Sequence, residues 1–260
     1  MLQLVGGVLT ELQAIGREGD GWCPRVAAIF GASGGIGAAC AAELIRRGCE
    51  LIHVGSRSLD GGAGRGKRSF TFDLTDEASL AAAALTMAEN PPEVVLVATG
   101  ALTLADGTGP EKSYRQLDAA AMAQILAVNT IGPTLVAKHM LPLLRRDRRT
   151  VFAVLTARVG SISDNRLGGW HSYRASKAAL NMLLRNFAIE LARTHPLAVV
   201  LGLHPGTVDT ALSTPFQRGV PEDKLFTPQR SAQALLDVVA QSAPADSGSV
   251  FDWQGERVEP

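Results

Sequence analysis

An apolar run, Val26–Phe30, breaks directly into Gly31-Ala32-Ser33-Gly34-Gly35-Ile36-Gly37, and a helical pattern continues from Gly35 to Arg47. This junction narrows the possible folds more than any other stretch of the chain. Glycine accepts the backbone of a tight reversal and lets two backbone segments touch. The junction therefore predicts a buried strand, a sharp turn and a helix that starts inside the turn. The free N–H groups and positive dipole end of such a helix suit an anion, a pyrophosphate above all. The spacing is GxxxGxG rather than GxGxxG, so taken alone it also fits a plain strand-to-helix connection. The same residues spell GxSxG, a hydrolase elbow centred on Ser33, but the oxyanion loop and strands that usually precede such an elbow have no room upstream.

Strand-like and helical segments then alternate. Leu51–Val54, Phe70–Phe72, Val94–Ala98, Val151–Leu155 and Ala198–Leu203 are expected strands, with a short one near Ser249–Phe251. Helices are expected after Thr75 or Asp76, over Ala119–Leu144 with Asp118 as N-cap and a local bend at Pro133, over Tyr173–Arg193, and over Gln229–Gln241. The strands are short, β-branched and apolar on both faces, as in a parallel sheet covered from both sides. The pattern predicts an α/β fold, a Rossmann-type doubly wound parallel sheet in three αβα layers, whose ligands bind beyond the carboxyl ends of the strands. Residues 25–260 are read as one domain. Residues 1–24 form an extension in which Leu2, Val5, Leu9, Leu12 and Ile15 have helical spacing.

Charge and cysteine usage exclude several classes of function. Lys+Arg and Asp+Glu are 25 each, so no broad basic field is expected to hold nucleic acid or an anionic membrane. The charge-free stretch Val26–Ala42 is too rich in glycine for a spanning helix. No Lys or Arg precedes Arg17, so the charged start of a signal peptide is missing. Cys23, Cys40 and Cys49 form no CxxC pair and suit free thiols in the cytoplasm. The histidines show no metal-ligand spacing.

Two further features follow predicted strands. Ser56-Arg57 ends the second, where an NAD-binding chain would carry an acid for the ribose. Arg57 can instead pair with a 2′-phosphate, helped by the basic Gly61–Lys67 stretch, or can be a solvated loop charge. Asp60 is expected to cap or turn the chain there. Tyr173 and Lys177 lie four apart at the start of a helix and share a face. A nearby ammonium favours the phenolate and lowers a tyrosine pKa, which makes such a pair a general acid or base for carbonyl and alcohol chemistry. Trp170 and His171 are placed to line a pocket.

At this point the chain resembles the short-chain dehydrogenase/reductase family over residues 25–255. The resemblance rests on Gly31, Gly35 and Gly37, on Tyr173 and Lys177, on Asn129 in Ala127-Val128-Asn129-Thr130, on Asp73, on Gly100 and on His204-Pro205-Gly206. Arg158–Ser163 and Phe251–Gly255 look like the C-factor and sniffer-type carbonyl reductase branch. The resemblance implies an NADP(H)-dependent oxidoreductase, NAD being the less favoured cofactor, that moves a hydride between nicotinamide and a small carbonyl or alcohol. It implies that Tyr173 protonates the carbonyl oxygen, that Lys177 tunes Tyr173 and holds the nicotinamide ribose, and that Asn129 holds a relay water. Cofactor contacts are implied for Gly31, Ser33, Gly35, Ile36, Gly37, Ser56, Arg57, Asp73, Leu74, Gly100, Lys177, Pro205, Gly206 and Thr210. Asn129 also fits a buried helix amide, and Asp73 a helix cap. A homodimer or homotetramer through the two long helices is implied, although sniffer-type relatives can be monomers.

The departures from the family pattern are specific. Val97-Ala98-Thr99-Gly100 replaces Asn-Asn-Ala-Gly. The usual serine pair past the fifth strand is Thr156-Ala157, which leaves Ser161, slightly favoured, or Thr156 to polarise the carbonyl. The segment from Ala211 to Phe226 is expected to cover the substrate with Leu212, Pro215, Phe216, Leu225 and Phe226 on its underside. A cofactor-binding signalling or regulatory protein with little catalysis is the main rival reading, and a serine hydrolase using Ser33 a remote one.

Overall fold

The computed structural model describes residues 22–58, 64 and 66–260. The helical spacing at 1–20, Asp60 and most of Gly61–Lys67 lie outside the described residues. In chain order the main elements are β1 (Val26–Phe30), α1 (Gly35–Arg46), β2 (Leu51–Ser56), β3 (Lys67–Thr71), α2 (Glu77–Met87), β4 (Val94–Val97), α3 (Ala119–Leu126), α4 (Gly132–Met140), β5 (Thr150–Leu155), α5 (His171–Leu191), β6 (Ala198–His204), β7 (Thr207–Val208), β8 (Leu225–Phe226), α6 (Pro228–Gln241), β9 (Ser249–Asp252) and β10 (Arg257–Val258). The main sheet has the order β3-β2-β1-β4-β5-β6-β9-β10, parallel up to β9, with β10 antiparallel at its edge. The mostly parallel doubly wound sheet is the architecture expected from the strand pattern.

Neighbouring residues of one strand serve opposite layers, which is why the strands are apolar throughout. Phe30, Phe152, Met140, Leu180 and Leu184 pack between the sheet and α2, α4 and α5. Ile29, Leu44, Ile52, Leu201 and Leu235 pack between the other face and α1 and α6. Phe30 meets Phe70 and Phe72 edge to face at 5.0 and 5.1 Å between ring centres, an arrangement that suits the ring quadrupole.

Side chains close helix starts, those of Asp76 and Asp118 among them. Asp76, rather than Thr75, accepts from Ala78 N, and Asp118 accepts from Ala121 N at 2.8 Å. The long helix changes its hydrogen-bond pattern just ahead of Pro133. It passes through a π-helical turn, Ala127–Ile131, in which Gly132 N donates to Ala127 O, five residues back. Pro133 has no N–H for the carbonyl four residues back, and the π turn lies just ahead of it. The run Ala119–Leu143 is long and apolar enough to cross a membrane, yet its Val136, Ala137 and Met140 are buried against the sheet.

Candidate active site

The glycine turn builds the first half of the site. Gly31 has φ +98°, and a Cβ there would lie 2.9 Å from Ala98 O. A Cβ on Gly37 would lie 2.2 Å from Gly31 O, so α1 can start against the turn only with hydrogen at that position. Gly31 N and Ala32 N both donate to Gly55 O, which ties the turn to β2. Gly34 is the N-cap of α1 and has no side chain to close it. The first-turn N–H groups of Gly35, Ile36 and Gly37 therefore have no intrahelical acceptor and face out of the helix. Ser33 stands exposed beside them, and the Thr210 methyl lies 2.8 Å from where a Gly35 Cβ would be. This open ring of donors fits a diphosphate.

At the end of β2 the Ser56 hydroxyl donates to Ser58 O. Arg57 is exposed and makes no ion pair among the described residues. Across from it, Asp73 Oδ1 accepts from Thr75 Oγ1 at 2.6 Å and from Thr75 N at 2.8 Å. Those two bonds, and to a smaller extent the Arg57 charge, hold the Asp73 carboxyl below its ordinary range. Leu74 turns its side chain into the core against Gly132, so only its backbone is left for an adenine contact.

The second half of the site converges on α5. Lys177 is buried, and its Nζ donates to Leu155 O at 2.9 Å and stands 5.9 Å from the centre of the Tyr173 ring. Burial brings the Lys177 ammonium down to about 8 and pushes the Tyr173 phenol up to about 12. The lowering of Tyr173 expected from its neighbour is thus reversed in this arrangement. Desolvation of the phenol outweighs a cation whose hydrogen bond is aimed at a carbonyl.

Asn129 lies in the π turn, fully buried, with Oδ1 accepting from Ala101 N and Nδ2 donating to Ala101 O, both at 2.8 Å. Nδ2 also donates to Ser176 Oγ at 3.2 Å. The amide is a clamp on the chain past β4 rather than a free water ligand. A Cβ on Gly100 would lie 3.4 Å from Asn129 Oδ1 and 3.8 Å from Lys177 Nζ, so the three expected residues do meet. Beside them the Thr99 hydroxyl is buried without a partner. Pro205 O accepts from Ser231 Oγ at 2.9 Å, and Gly206, with φ +77°, packs under Phe226.

Neither candidate hydroxyl is offered to Tyr173. Ser161 is buried in its own turn, where Oγ accepts from Asp164 N at 3.1 Å and lies 3.4 Å from Ser163 Oγ. Thr156 donates to Asn181 Oδ1 at 2.7 Å. The oxygen of Ser161, the slightly favoured carbonyl polariser, closes the 161–164 turn. Among the described residues no histidine hydrogen-bonds to Ser33, as the base of a hydrolase elbow would.

A cavity of about 390 Å³ opens beside Tyr173, walled by Leu102, Leu104, Pro110, Glu111, Ile125 and Ser172. Glu111 was not legible in the sequence. Its partner Ser172 is 61 residues away, and it stands in a loop with no periodic pattern. Trp170 meets the Tyr173 ring edge to face at 6.1 Å.

Glycine turn, buried lysine, tyrosine one helical turn away and asparagine clamp thus come together in one site. Residues 25–220 match the family described as short chain dehydrogenase, and the chain belongs to that family. It is 31% identical over 226 residues to 1-hydroxy-2-glutathionyl-2-methyl-3-butene dehydrogenase of Rhodococcus sp. (strain AD45), covering 85% of this chain and 92% of that one. It is 39% identical over 142 residues to C-signal of Myxococcus xanthus, covering 55% of this chain and 80% of the relative. In fold it is similar to an NADPH-bound carbonyl reductase from chicken fatty liver (TM-score 0.79, 23% identity, 92% of this chain and 96% of that one). It is also similar to the carbonyl reductase Sniffer of D. melanogaster (TM-score 0.79, 16% identity, 91% and 99%).

Proposed function

We propose that the protein is an NADP(H)-dependent carbonyl reductase acting on a small carbonyl or alcohol. The observation that carries this reading is the meeting of Gly100, Asn129 and Lys177 beside Tyr173, at the carboxyl ends of the strands and within one site with the glycine turn. A bound nicotinamide supplies or accepts the hydride. Tyr173 gives its phenolic proton to the carbonyl oxygen during reduction and takes it back during oxidation. A phenol pushed up to about 12 is protonated at neutral pH, the state that reduction requires. Lys177 holds the nicotinamide ribose, Asn129 fixes the Gly100–Ala101 backbone, and the N–H groups of Gly35, Ile36 and Gly37 take the diphosphate with Thr210. Arg57 reads a 2′-phosphate, since no acid stands at the end of β2 to accept from a 2′-hydroxyl.

A cytoplasmic setting is part of the proposal, and the buried free thiols Cys40 and Cys49 support it. Ile131, Met182 and Ile189 are exposed on the long helices, an apolar face that supports a homodimer or homotetramer built there. A second reading, a cofactor-binding regulatory protein with weak catalysis, is favoured by Ala157 and by the Thr156–Asn181 bond. Tyr173→Phe separates the two. NADPH titration should give the wild-type affinity, while carbonyl turnover of an active wild type should vanish. Wild-type NADPH binding without turnover of any carbonyl would favour the regulatory reading.

A further inference from the structure

Gly168, Gly169 and Trp170 have positive φ in succession, 64°, 65° and 50°, immediately ahead of α5. Among the described residues Trp170 is the one non-glycine residue held this way. A bulky side chain persists in that region only where its surroundings over-determine it, and such residues cluster at functional sites.

Glu111 does the holding. Its backbone carbonyl accepts from Trp170 N at 2.5 Å. Its carboxylate accepts from Ser172 N at 3.1 Å and from the Ser172 hydroxyl. Both side chains are buried in the wall of the cavity, Glu111 at 8% and Ser172 at 3% exposure. A carboxylate also suits the positive end of a helix of 21 residues. The indole held in this way touches two things. It meets the Tyr173 ring, and it meets Phe216 edge to face at 5.3 Å. Phe216 belongs to the 211–226 segment, which is expected from the sequence to cover a substrate.

We propose that Glu111 is a positioning residue: through Trp170 N and Ser172 it fixes the start of α5 so that the Trp170 indole stands between Tyr173 and Phe216, and thereby sets how the 211–226 segment closes on a substrate. The proposal rests on the carbonyl reductase reading for the reaction it serves. A purely structural helix start would have no reason to hold a tryptophan in strained backbone against both the proton donor and the covering segment.

Glu111→Ala removes both carboxylate contacts. Glu111→Gln keeps them, because the Ser172 hydroxyl accepts from an amide as well as donating to a carboxylate. The variants are compared with wild type in acrylamide quenching of tryptophan emission, in NADPH affinity, and in kcat and KM for hexanal, cyclohexanone and benzaldehyde. Glu111→Ala should raise quenching and raise KM about tenfold, while the NADPH Kd stays within about twofold. Glu111→Gln should restore most of both, and the quenching change should disappear in a Trp170→Phe background. If Glu111→Ala does not fold, Ser172→Ala replaces it with smaller effects in the same direction. Unchanged quenching, or NADPH affinity falling together with turnover, would overturn the proposal. A wild type that reduces none of the three carbonyls would count against the carbonyl reductase reading instead, and the quenching comparison, which needs no turnover, would still accept or reject the Glu111 clasp.

Discussion

The Thr156 hydroxyl donates to Asn181 Oδ1 at 2.7 Å, and the next residue along the chain, Ala157, has no hydroxyl at all. The Thr156 hydroxyl is committed to α5, and nothing at 157 takes the role of carbonyl polariser. Installing the missing donor should accelerate carbonyl reduction. Ala157→Ser is expected to raise kcat by about tenfold to a hundredfold, somewhat less than the loss seen when a polarising donor is removed from a site built around it. Thr156→Val should leave kcat near that of wild type and cost about 1–2 kcal/mol of stability, since it strands the Asn181 oxygen. Steady-state kinetics and denaturant melts of the two variants check both statements.

The phosphate reading of Arg57 has an equally direct test. The guanidinium is exposed and close enough to Asp73 to lower its carboxyl slightly, so it is already placed at the end of the sheet where an adenosine would lie. Arg57→Ala should weaken NADPH by about tenfold to a hundredfold, the range of a charge-assisted hydrogen bond, and leave NADH unchanged. Parallel titrations with the two nucleotides give the answer. Equal losses for both would remove Arg57 from phosphate recognition.

A third prediction concerns acid stability. His204 Nδ1 is buried without a partner, and burial pulls the ring down to about 4 from an ordinary 6.5, with Asp252 opposing and Arg158 assisting. The neutral ring is the form that the fold accepts. A depressed histidine contributes stability in full above about pH 6.5 and loses it as pH falls toward 4. Wild type should therefore shed on the order of 2 kcal/mol across that window relative to His204→Gln, whose profile should be flatter. Urea midpoints at pH 7.5, 5.5 and 4.5 for the two proteins measure the difference. His53 and His195 are lowered in the same direction and remain in both proteins, so the comparison isolates His204.

How far the sequence could be read depended on how each element is buried. β1 and α1 emerged with their boundaries nearly right, because a strand buried on both faces is an unbroken apolar run and the glycines mark where it ends. β3 was placed at Phe70–Phe72 but spans Lys67–Thr71, because an edge strand shows only part of itself to the core and Lys67, Arg68 and Ser69 carry no apolar signal. Pro133 hinted at an irregularity in the long helix but could not give its form, since a hydrogen-bond ladder slipping by one residue leaves no hydrophobic trace. Tyr173, Lys177, Asn129 and Gly100 were legible as a motif. The commitments of Ser161 and Thr156 were not, because each depends on which neighbour the hydroxyl finds after folding. Glu111 was invisible for the same reason.

The two margins of the sheet bear on how such a chain meets others. One ends in β3, whose Lys67 and Arg68 would bring two cations to any strand that tried to add there. The other ends in β10, a strand of two residues that runs antiparallel to its neighbour. A strand so short offers almost no ladder to extend. Backbone-to-backbone growth is thus discouraged at both margins, and crowding a cell with this protein carries little risk of templated fibrils as long as β3 and β10 stay in place.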